Sequence, residues 1–134
     1  MRTWMRLVVV AISFQALGVA LFGAVSAQPA SWEASFGGTY IEKGCFVHQA
    51  VDGRYILLGV TVSKGAGQKD FWLIKTDAKG NRYWNRIYGT PYWDRGRFLQ
   101  QTKDGGYVLT GYKFTVKDQR GHQLWVIKTD PSGN

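Results

Sequence analysis

The 134-residue chain carries 17 Lys and Arg against 9 Asp and Glu, a net charge of +8, and one cysteine. A lone Cys45 excludes an internal disulfide framework and is expected as a small apolar side chain buried in a strand. The basic residues are scattered, which reads as a well-charged soluble surface, while their excess favours acidic surfaces such as anionic polysaccharide or lipid headgroups.

Residues 1–27 read as a secretory signal peptide. Arg2 and Arg6 give a positive start, Leu7 to Ala24 is mostly apolar, and Val25-Ser26-Ala27 offers the small residues a signal peptidase reads, with cleavage between Ala27 and Gln28. The apolar stretch is close to the lower length of a spanning helix, so a retained membrane anchor is the other reading. Cleavage removes two arginines, lowering the charge from +8 to +6. The exported chain is expected to be secreted, periplasmic or at the cell surface, with no membrane span after cleavage and no nucleic-acid partner.

From residue 28 onward the chain reads as strands and turns, with no helical period. Trp32–Gly37 is the first expected strand and Cys45–Val51 the second. Asp52-Gly53 then signals a tight turn. Tyr55–Val62 is apolar on both faces, as in a sheet packed between two others. A glycine-containing loop, Ser63–Gln68, leads to a strand at Phe71–Thr76. Asp77-Ala78-Lys79-Gly80-Asn81 turns the chain into Arg82–Tyr88. Further strands are expected at Arg97–Lys103, Tyr107–Phe114 and Leu124–Thr129, giving eight in all.

These segments repeat. Asp52-Gly53-Arg54-Tyr55 returns as Asp104-Gly105-Gly106-Tyr107, 52 positions on; Trp72-Leu73-Ile74-Lys75-Thr76-Asp77 returns as Trp125-Val126-Ile127-Lys128-Thr129-Asp130, 53 positions on. Trp32–Gly37 likewise aligns with Trp84–Gly89. A strand-built period of about 50 residues predicts an all-β, β-propeller-type repeat of about two four-stranded antiparallel blades, with blade-like units at 32–83 and 84–134.

The second copy resembles a family of secreted bacterial and archaeal β-propeller repeat proteins. The matching positions are Trp84, Tyr88, Gly89, Gln101, Asp104, Gly105, Gly106, Tyr107, Val108, Gly111, Trp125, Val126, Lys128, Thr129, Asp130, Gly133 and Asn134; the first copy matches with Arg54 in place of the second glycine. The resemblance spans Trp32–Asn134 and implies the fold rather than a function, because the fold hosts many roles. A weaker resemblance links Asp77, Gly80 and Trp84 to the docking motif of quinoprotein propellers. The Asp-to-Gly spacing is one residue short there and the cofactor-binding positions cannot be located, so no cofactor is expected.

No catalytic constellation stands out. His48 and His122, the latter in the loop before Leu124, lack metal-ligand spacing. Ser63, His48 and Asp70 form a triad only on paper. Asp52 and Asp104 are expected to cap hairpin turns. Asp77 and Asp130 open Asp-x-x-Gly-Asn turns, for which a calcium loop is the sharper alternative. Lys75 and Lys128 are expected to pair with a neighbouring strand's carboxylate.

The candidate ligand site is the pair of loops joining one unit to the next. Tyr40, Glu42 and Lys43 correspond to Tyr92, Trp93, Asp94 and Arg95, each loop offering aromatic, acid and base in one order. Aromatic faces stack on sugar rings and charged groups bond hydroxyls, the chemistry of a carbohydrate-binding lectin. The plainer alternative has the tyrosines packed between units and Glu42–Lys43 solvated.

Two blades would leave apolar flanks uncovered, at about 1.5–3 kcal/mol per large side chain. Three readings cover them: a fragment of a longer repeat protein, three or four identical chains sharing one ring, or an unlike propeller chain. The function expected is an exported, non-enzymatic binding or assembly module whose partners are a cell-surface protein or glycan and further blades. The alternatives are an oligomeric lectin and a piece of a quinoprotein-like enzyme.

Overall fold

A computed structural model describes residues 31–115 and 121–134. They are all-β and contain no helix; seven strands form two antiparallel meanders. The first sheet has β1 (Glu42–Gln49), β2 (Tyr55–Thr61), β3 (Asp70–Thr76) and β4 (Arg82–Tyr88), in that order; the second has β5 (Asp94–Gln101), β6 (Tyr107–Phe114) and β7 (His122–Thr129). The expected signal segment and its cleavage point lie outside the described residues. No described helix is long and apolar enough to cross a membrane.

The strands form where the period-two pattern puts one apolar face of each sheet against the other. Ile56, Leu58, Phe71 and Leu73 from the first sheet and Leu99, Tyr107 and Leu109 from the second make one buried cluster, with Phe46, Trp84, Tyr88, Trp125 and Ile127 around it. Phe71 meets Trp125 with ring centres 5.0 Å apart. β5 lies across β1, β2 and β3, so the second sheet covers the first along its inner strand.

The turns repeat as closely as the strands. Asp52 Oδ1 accepts the Arg54 N–H (3.1 Å) and Asp104 Oδ1 accepts the Gly106 N–H (3.0 Å), capping the hairpins as expected. Asp77 Oδ1 accepts N–H groups from Lys79 (2.8 Å) and Asn81 (2.9 Å); Asp130 Oδ1 does the same for Ser132 (2.8 Å) and Asn134 (2.9 Å). Those bonds, led by the Asn81 side chain at Asp77 and the Asn134 N–H at Asp130, hold both carboxyls below their usual value. Lys75 and Lys128 pair with the carboxylates of Asp52 (2.9 Å) and Asp104 (2.7 Å), which lie in the hairpin turns and not on a neighbouring strand.

Four expectations need correction. Trp32–Gly37 is not a strand: no strand pairs with it among the described residues, so seven strands stand where eight were expected. Trp32 packs instead on the first sheet's last turn, its ring edge-on to Tyr55 at 5.2 Å and directly over Gly80. Strands β1 and β5 begin earlier than the apolar pattern suggests. Backbone pairing of Glu42 with Thr61 and of Asp94 with Lys113 carries the ladders through polar residues that sequence chemistry assigns to loops. Likewise His122 lies inside β7, paired with Phe114. Cys45 is exposed, because a β-bulge between Gly44 and Phe46 takes it out of the ladder.

Tyr88 ties the two repeats together. Its hydroxyl donates to the Gly133 carbonyl at 2.5 Å, and burial pushes its phenol up to about 12. In the unfolded chain that phenol ionises near 10. Between those values the folded state binds the extra proton, so stability falls as pH rises. The urea midpoint of the wild type should therefore drop above pH 10 more steeply than that of Tyr88→Phe; parallel curves would contradict the assignment.

Candidate functional site

The two repeat-related segments at the sheet junction do not present their side chains as one set. The bases converge. Lys43 from β1 and Arg95 from β5 line one cavity of about 200 Å³, together with Lys69, Arg97, Ile41, Gly44, Cys45, Val60 and Val62. Lys69 is delivered by a parallel bridge to Trp93, with the Asp94 N–H bonded to the Lys69 carbonyl at 2.7 Å. Arg97 is the extra residue of a bulge between Gly96 and Phe98, in the same ladder position as Cys45 in β1.

The electrostatics of this cavity are one-signed. Desolvation pushes the Lys69 ammonium below its usual value, and the charges of Arg95 and Lys43 push it further the same way. Partial desolvation holds the Cys45 thiol above its usual value, against the pull of Arg95, Arg97 and Lys43, which disfavours a reactive thiolate. Lys69 Nζ sits 3.7 Å from the centre of the Trp93 ring, a cation–π contact that occupies one face of the indole.

The acids are used structurally. The Glu42 carboxylate accepts from Thr61 Oγ1 (3.2 Å), and a Ser63 hydrogen bond leads the effects that hold its carboxyl below the usual value. Asp94 is fully buried and accepts the Thr90 N–H (2.5 Å) and hydroxyl (3.1 Å); burial nonetheless raises its carboxyl. Asp70 is buried too, accepts the Gly67 N–H (3.4 Å), and is raised by desolvation. Its other oxygen has no hydrogen-bond partner.

The aromatics separate. Tyr40 stands exposed, its N–H bonded to Ser63 Oγ (2.9 Å). Tyr92 is half-buried, and its N–H donates to Thr90 Oγ1 (3.2 Å). Half-buried Trp93 borders a neighbouring cavity of about 130 Å³ with Lys69, Asp94, Arg95, Tyr112 and Phe114. Thus the structure brings Lys43, Arg95 and Trp93 to one junction and leaves Tyr40, Glu42 and Tyr92 outside it. Sequence reasoning missed Lys69 and Arg97; net charge signalled them only in bulk, because neither repeats as a base in the other copy.

Among the described residues the histidines and acids form no alternative metal centre. His122 stacks on Tyr112 (5.4 Å) and Phe114 (5.7 Å), and among the described residues no group of three His, Cys, Asp or Glu side chains could hold a metal ion. No protein-family model matches the chain, and no curated protein or solved structure matches it either.

Proposed function

We propose that the chain is an exported, non-catalytic β-propeller repeat module that serves as a binding surface for anionic groups. The repeat resemblance, the two meandering sheets and the one-in-register turn chemistry support the propeller; the expected leader supports export. The observation that carries the binding reading is the convergence of Lys43, Lys69, Arg95 and Arg97 on one cavity at the sheet junction. Four cations around a partly desolvated cleft repel one another and gain when a carboxylate, sulfate or phosphate enters. Arg95 and Arg97 can each donate two parallel bonds to such a group.

Acidic glycan is the ligand class this chemistry fits best, since anionic groups would dock in the cleft beside the Trp93 indole. A neutral-sugar lectin is less well supported, because Lys69 already covers one face of that ring. The test is binding to a sulfated polysaccharide and to neutral dextran at several salt concentrations. The sulfated chain should bind, weakening as salt rises. Arg95→Gln with Arg97→Gln should lower affinity by about tenfold or more, each charge-assisted bond being worth roughly 1.5–3 kcal/mol. Equal retention of both polysaccharides, or no loss in the double variant, would refute the reading.

A further inference from the structure

The chain exposes both halves of an interface it already makes internally. The buried face of the first sheet, Ile56, Leu58, Phe71 and Leu73, corresponds by repeat to Val108, Thr110, Leu124 and Val126 on the outer face of the second. Leu124 is 79% exposed and Val126 55%. Conversely, the second sheet's buried Leu99 and Leu109 correspond to Val47 and Leu57. Those two line an open groove of about 640 Å³ on the outer face of the first sheet, with Phe36, Gly44, Trp72 and Ile74.

Glycine positions report the same vacant contact. A Cβ at Gly96 would lie 2.9–3.0 Å from Leu58 side-chain carbons, so the close approach of the first sheet requires glycine there. Its repeat counterpart Gly44 has nothing within 4 Å. Gly111 lies under Phe71, whose Cζ would be 2.6 Å from an added Cβ; its counterpart Gly59 is met only by backbone atoms of Lys43 and Gly44.

The segment before β1 completes the correspondence. Trp84 of β4 lies over Gly133 and edge-on to Tyr107 at 6.2 Å. Trp32 lies over Gly80 and edge-on to Tyr55 at 5.2 Å. Trp32–Phe36 therefore sits on the first sheet as β4 sits on the second, yet has no strand beside it among the described residues. On the second sheet, β7 has β6 on one side and no described strand on the other.

Building on the repeat-module reading above, we propose that a second copy of this chain docks head to tail on these faces. The outer face of one copy's β5–β7 sheet covers the groove of the next copy's β1–β4 sheet. Trp32–Phe36 of that next copy pairs with β7 as a fourth strand. The register follows from β3 and β4, where Phe71 pairs with Tyr88, Leu73 with Arg86 and Lys75 with Trp84: Leu124 pairs with Phe36, Val126 with Ala34 and Lys128 with Trp32. The two surfaces differ, so the contact is heterologous and propagates until rotation closes a ring. A ring of four, six or eight sheets, the range of roughly four to eight blades known for propellers, holds two, three or four copies.

The test uses protein secreted with its own leader from an exporting host. Sedimentation should give two to four times the chain mass for the wild type and the single-chain mass for Gly44→Arg. That variant fills open space, so its circular dichroism should remain that of the wild type. In a Cys45→Ser background, Ala34→Cys mixed with Val126→Cys should form an intermolecular disulfide, and neither variant alone should cross-link. A wild-type monomer, or no cross-link in the mixture, overturns the proposal. Sulfated polysaccharide binding by such a monomer would leave the binding reading intact, and an assembling chain that binds no polyanion would remove that reading alone.

Discussion

Phe71→Ala should destabilise the folded chain by about 3–5 kcal/mol, whereas Leu124→Ala, at the same place in the other repeat, should cost less than about 1 kcal/mol when the chain is held monomeric. Phe71 is fully buried, touches Trp125, and closes over Gly111 where the two sheets approach most nearly. Truncation removes its burial and leaves a cavity between Gly111 and the Trp125 ring. Leu124 has the equivalent ladder position, but most of its surface meets water. Urea melts of each variant in the Gly44→Arg background measure the difference directly. Because domains are stable by only about 5–15 kcal/mol, the Phe71 variant should melt at distinctly lower urea. Equal costs would mean that the two sheets do not pack through this face.

The contrast between Phe71 and Leu124 also explains what the sequence discloses and what it hides. Strand positions were legible because period-two apolar runs bounded by Asp-Gly and Asp-x-x-Gly-Asn turns repeat in register, and β2, β4 and β6 fall where those patterns place them. Polar strand ends were not legible. Glu42 and Asp94 join ladders because their backbones find Thr61 and Lys113, a pairing with no side-chain signature. Trp32–Gly37 looks like a strand because it aligns with β4; a strand also needs a neighbour with free backbone groups, and no described strand flanks it. At the candidate site, the repeated aromatic–acid–base order identified Lys43 and Arg95 but not their surroundings. Lys69 arrives from before β3 and Arg97 from a bulge, so their meeting depends on tertiary packing. The acids were read as ligand groups because a carboxylate looks alike in sequence whether it faces solvent or, like Asp94, caps Thr90 in the interior.

The two repeat-related ion pairs should differ in cost when broken. Lys75 is only 6% exposed and its ammonium lies 2.9 Å from Asp52 Oδ2. Burial is the largest single effect on that ammonium and works against it, but Asp52 and the Tyr107 hydroxyl together outweigh it and hold Lys75 above its usual value. Burial likewise works against Asp52, yet Lys75 and the Arg54 N–H hold its carboxyl below the usual range. Asp52→Ala strands a buried cation and should cost about 1–3 kcal/mol. Asp104→Ala breaks an exposed pair and leaves Lys128 in solvent, so it should cost clearly less than Asp52→Ala. Asp52 contributes stability above the unfolded carboxyl value near 3.8 and loses it as pH falls further; Lys75 contributes below about 10.5 and loses it as pH rises further. Thermal melts from pH 2 to 11 should therefore show the Asp52 variant losing least, relative to wild type, at the acidic end. Adding Lys75→Met should recover most of the loss at neutral pH, because an apolar side chain of similar length needs no counter-charge. If the double variant is instead no more stable than Asp52→Ala, the missing energy belongs to the turn that Asp52 caps through the Arg54 N–H rather than to the buried charge.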